Sequence, residues 1–92
     1  MRGDCLLKAH DIINGERLDN YGKPENNFKL IAKFWSEYKG VDFTDVDVAM
    51  MMLLLKVARI KTGCGTMDSF VDAAGYVGLA ADLLNDCETA SR

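Results

Sequence analysis

The sequence predicts an all-α fold, a single domain built from four helices. Three observations predict it: apolar residues recur at three- and four-residue spacing, no segment alternates with period two, and Gly, Asn and Pro interrupt the chain at intervals of helix length. Ninety-two residues leave room for one core. At 49% apolar and 27% charged, the composition is that of a globular chain rather than a disordered one.

The first helix covers residues 4–14, where Cys5, Leu6, Ala9, Ile12 and Ile13 form one apolar stripe. Asn14-Gly15 stops it. Residues 16–23 then read as a polar connection, with Asn20 and Gly22 as turn formers. Pro24 opens the second helix, residues 24–39, because a missing N–H costs nothing in a first turn. Phe28, Ile31, Trp35 and Tyr38 follow helical spacing along it, and Gly40 ends it. Thr44 and Asp47 have the spacing of a capping box, which starts a third helix over residues 45–62. Its segment 48–55 is apolar all round, and a helix of that kind must be surrounded. The remaining helices are too few to cover it on every side, so the sequence predicts a homo-oligomer, at least a dimer. Gly63 and Gly65 make the next break and Thr66 can cap. The fourth helix covers residues 67–86, with Phe70, Val71, Ala74, Val77, Ala81 and Leu84 as its stripe.

Charge and composition exclude several function classes. Lys and Arg number 11 against 14 Asp and Glu, a net charge of −3 with no dense basic stripe, so nucleic acid is not an expected partner. The longest apolar run falls well short of the roughly 18–20 residues of a spanning helix, and the polar start is unlike a signal peptide. The expectation is a cytoplasmic protein with no membrane partner. Cys5, Cys64 and Cys87 lack C-x-x-C spacing, which fits unpaired thiols rather than a zinc site. His10, the only histidine, rules out chemistry built on paired histidines and reads as an exposed partner of Asp11.

The informative polar residues lie on the last two helices. Lys56 and Arg59 are i, i+3 neighbours; Asp68 and Asp72 are i, i+4, and Tyr76 follows one turn later. If the two helices are antiparallel, Lys56 lies level with Asp72, and Arg59 with Asp68 or Ser69. One reading is an ion-pair ladder that sets the register of the hairpin. The other is a polar cavity in which Lys56 and Arg59 bind phosphate, or the carboxylates bind Mg²⁺. Arg17, Tyr21 and Lys23 pose the same choice: beside Gly22 they either hold a pyrophosphate or solvate a helix connection. Trp35 is either a core or interface residue or a platform for a base.

The ordered set Arg17-x3-Tyr21-Gly22-x-Pro24-x2-Asn27-Phe28-x2-Ile31-Ala32-x2-Trp35, Asp47-Val48-Ala49, Lys56-x2-Arg59 and Asp68-x3-Asp72-x2-Gly75-Tyr76 resembles a short family common in phages and prophages. That family is known as a domain of unknown function, and the resemblance spans about residues 6–84. The second half of the set also looks like nucleotide-modification-associated phage proteins. More distantly it is similar to the MazG-like all-α NTP pyrophosphatases, which are dimers or tetramers of helical hairpins. Those enzymes hold Mg²⁺ with Glu-Glu-x2-Glu on one helix and Glu-x2-Asp on the next. Here the second helix carries only Glu25 and Glu37, far apart, and Asp68 and Asp72 form the one close pair.

The resemblance therefore implies a nucleotide ligand without a metal cage. The expected function is that of a phage-encoded protein that sequesters a nucleotide immune signal, a cyclic ADP-ribose species or a cyclic dinucleotide, in the host bacterial cytoplasm. The alternatives are a Mg²⁺-dependent MazG-like pyrophosphatase and a non-catalytic interaction module. Expected ligand-binding residues are Arg17, Tyr21, Lys23, Trp35, Lys56, Arg59, Asp68, Asp72 and Tyr76, with no catalytic residue, metal or cofactor.

Overall fold

The computed structural model describes residues 1–15, 23–63 and 65–91, with side chains except at positions 25 and 85–91. The fold is all-α, as the periodicity predicts. Among the described residues four helices follow one another, α1 (Asp4–Asn14), α2 (Pro24–Lys39), α3 (Asp45–Lys61) and α4 (Met67–Ser91), and no strand occurs. The fourth helix runs past the expected end near Asp86, since its last residues contain neither Gly nor Pro to stop it.

Local chemistry sets the other boundaries. The Thr44 hydroxyl accepts from the Asp47 N–H at 3.1 Å, and the Asp47 carboxylate accepts from the Thr44 N–H at 2.9 Å, so the capping box is complete. Gly40 ends α2 in the left-handed region at φ 71°, where its N–H reaches the Ser36 carbonyl at 2.9 Å. The Ser36 hydroxyl then accepts from the Phe43 N–H at 2.8 Å and ties the α2–α3 connection to α2.

Helices α3 and α4 form an antiparallel hairpin, the most extensive helix packing among the described residues; α1 lies along α4, and α2 lies along α3. The main core cluster is small: Phe28 and Ala32 of α2, Val48 and Ala49 of α3 and Ala80 of α4, with Ala9 of α1 and Val71 of α4 also buried. Trp35, Phe43, Met52, Tyr76, Leu79 and Leu83 pack around it.

The fourth helix departs from the expected stripe. Val71 is buried, but Phe70, Val77 and Leu84 are each about half exposed, and the inward face runs instead through Ser69, Val71, Gly75 and Ala80. Small residues are needed there because α1 comes close. A Cβ built on Gly75 would lie 3.3 Å from Cγ2 of Ile13. Leu6 and Tyr38, read as parts of buried stripes, are also exposed.

Candidate functional site

Between α1, α2 and α4 lies a cavity of about 290 Å³. Ile12 and Ile13 of α1 form one wall, and Pro24, Asn27, Phe28 and Ile31 of α2 the facing one. Met52 of α3 contributes at one side, and Asp72, Gly75, Tyr76 and Leu79 of α4 complete the lining. Helical spacing explains the grouping: Pro24, Asn27 and Ile31 fall on one face of α2, as do Asp72, Tyr76 and Leu79 on α4. Without a side chain at Gly75, Ile13 of α1 packs close to α4 at one edge of the cavity. Phe28 of α2 and Tyr76 of α4 meet in its wall, with ring centroids 6.3 Å apart and planes tilted by 36°.

The polar part of the site is centred on Asp72. Its Oδ2 lies 3.1 Å from the Nζ of Lys56, which reaches across from α3, and both side chains are largely buried. This is the pairing that the antiparallel register predicts. The companion pairing does not form. Arg59 and Asp68 are both exposed, and among the described residues no carboxylate lies within 4.0 Å of the Arg59 guanidinium. Three residues turn a helix by about 300°, so Arg59 points some 60° away from Lys56, and Asp68 sits on the exposed first turn of α4.

Of the other expected ligand-binding residues, Tyr76 lines the cavity, and Lys23 is exposed immediately before Pro24, which also lines it. Trp35 is elsewhere: it stacks edge-on against Phe43 at 6.1 Å, beside the core. Arg17 and Tyr21 lie outside the described residues. Sequence reasoning did not single out Asn27, Gly75 or Ile13 for the site. The usable signal was Asn27 itself, a polar residue one turn from Pro24 and from Ile31 on an otherwise apolar face. His10 and Asp11 form the expected exposed pair, at 3.6 Å. No group of three His, Cys, Asp or Glu side chains suited to a metal ion occurs among the described residues.

A family profile described as a domain of unknown function, DUF6378, matches residues 4–84. The chain belongs to this family. It is 48% identical over 75 residues to the Gene 55 protein of Mycobacterium phage L5, covering 80% of this chain and 48% of that protein. To the Gene 55 protein of Mycobacterium phage D29 it is 46% identical over 78 residues, or 85% of this chain and 52% of the relative. The chain thus spans about half the length of these phage relatives. No solved structure matches it. No helix among the described residues is long and apolar enough to cross a membrane.

Proposed function

We propose that this chain binds a nucleotide in the cavity between α1, α2 and α4 and holds it without turnover, and that it works as a homo-oligomer. The observation that carries the reading is the make-up of the cavity wall. A nucleobase has apolar faces and a polar edge, and the wall offers aliphatic side chains and two aromatic rings interrupted by Asn27, Asp72 and Tyr76. At about 290 Å³ the cavity sits at the small end of ligand sites, which run from about 300 to 1,000 Å³. That size suits a base with its ribose and leaves the phosphates outside, near the cation of Lys23.

Hydrolysis of such a ligand in MazG-like fashion needs Mg²⁺ held by several carboxylates. Asp72 already has the Lys56 ammonium at 3.1 Å, and Asp68 is an exposed residue one turn away. This favours binding over turnover. The ligand class we favour is a signalling nucleotide of bacterial immunity, a cyclic ADP-ribose species or a cyclic dinucleotide, which a phage gains by sequestering in the host cytoplasm. The phage origin of the two matched relatives supports that choice.

Calorimetric titration with cyclic ADP-ribose species, cyclic dinucleotides and NTPs, in Mg²⁺ and in EDTA, tests the reading. One cyclic species is expected to bind with the same affinity in both buffers and to be recovered chemically intact after heat denaturation. If nothing in the panel binds, the nucleotide reading fails. Mg²⁺-dependent release of a monophosphate or an opened ring, abolished by Asp72→Asn, would establish a pyrophosphatase-like enzyme instead.

A further inference from the structure

The side of the α3–α4 hairpin turned away from α1 and α2 is apolar and, among the described residues, uncovered. Helical spacing brings Met50, Leu54 and Val57 of α3 and Phe70, Val77 and Leu84 of α4 to this side, and each is between 43% and 60% exposed. On α4 the three large residues are seven apart, with Ala74 and Ala81 between them, which is the a/d spacing of a helix that packs on other helices. We propose that this face packs on the same face of a second copy, so that two hairpins form an antiparallel four-helix bundle about a two-fold axis beside Leu54. The proposal rests on the homo-oligomer reading above and adds its surface and symmetry.

Exposed apolar surface and charge both argue for a second copy. The six residues and Met51 are each 40–60% exposed, and large apolar side chains gathered on one exposed face mark an interaction surface. Asp47 and Lys61 lie seven residues on either side of Leu54, on the same stripe of α3, and both are exposed. A two-fold axis beside Leu54 sets Lys61 opposite the partner's Asp47, twice over. A parallel arrangement would set like charges together at both ends. Between Asp47 and Lys61 this stripe carries no charge, so an apolar centre is flanked by complementary rims, as in a self-complementary interface.

Light scattering of the full chain at micromolar concentration is expected to give twice the 10.2 kDa chain mass. Leu54→Asp and Val77→Asp are each expected to give a monomer with undiminished helical circular dichroism, since both positions are half exposed within one chain. With the three native cysteines changed to serine, Leu54→Cys is expected to cross-link two chains on mild oxidation, and Leu30→Cys, exposed on α2, is not. A wild-type mass of 10.2 kDa overturns the homo-oligomer reading and this proposal with it. A dimer that survives both aspartate variants overturns only the face. A dimer in which Leu54→Cys does not cross-link overturns the two-fold placement.

Discussion

Val48→Asp is expected to unfold the chain, while Leu54→Asp, six residues along the same apolar run, leaves it folded. Val48 is 0% exposed, held in the core with Phe28, Ala32, Ala49 and Ala80. A carboxylate there meets no cation in that cluster and loses its water. An unpaired buried charge costs several kcal/mol or forces protonation. A domain of this size has a total stability of only about 5–14 kcal/mol, and the substitution also leaves unfilled volume where the valine methyl groups packed. Leu54 is 60% exposed, so its replacement keeps the new carboxylate in water and removes little contact within the chain. Thermal melts followed by circular dichroism check the pair. Cooperative unfolding near the wild-type temperature in Val48→Asp would mean that α3 is rotated from the position described; loss of folding in Leu54→Asp would mean the same, or that the chain folds only as the dimer.

That contrast marks where sequence reading runs out. The start of α3 was legible because a capping box is a local device, and Thr44 and Asp47 need only each other. Pro24 and Gly40 are local in the same sense, fixing the ends of α2 by what their own backbones permit or forbid. The direction in which segment 48–55 faces is a different kind of question. With every side apolar, periodicity carries no information about which side meets α2 and α4.

Helix α4 shows the opposite difficulty. It has two apolar faces, and the one with the larger side chains, through Phe70, Val77 and Leu84, is the outward one. The inward face was chosen by closeness rather than hydrophobicity: Gly75 lets Ile13 approach to a distance that a larger residue would contest. In the site, the Lys56–Asp72 pair was legible because a short helical connection fixes register. The cavity was not, because it depends on α1 lying along α4, a long-range arrangement that no spacing within either helix encodes.

Lys56→Ala is expected to cost about 2 kcal/mol, and the double variant Lys56→Met/Asp72→Leu to regain most of that loss. The two side chains are 17% and 29% exposed, so the pair stands between two known limits. Exposed ion pairs contribute about 0–1 kcal/mol, and breaking a fully buried pair costs about 3–5 kcal/mol because the remaining charge is left without a partner. Removing Lys56 strands the Asp72 carboxylate at the edge of an apolar cavity. Replacing both members with apolar residues of similar volume removes the desolvation cost together with the attraction, which is often close to neutral. Lys56→Met also keeps the unbranched stem that packs between α3 and α4. The double variant separates the two roles of the pair. If the pair only sets the register of the hairpin, a chain with restored stability also keeps its ligand affinity. If Asp72 and Lys56 contact a bound nucleotide, stability returns and affinity does not, and at about 1.5–3 kcal/mol for a hydrogen bond to a charged group the weakening is about tenfold to a hundredfold. Denaturant melts and nucleotide titration on the same preparation read both quantities. Wild-type affinity in the refolded double variant would remove Asp72 and Lys56 from the binding site and leave the pair a purely structural role.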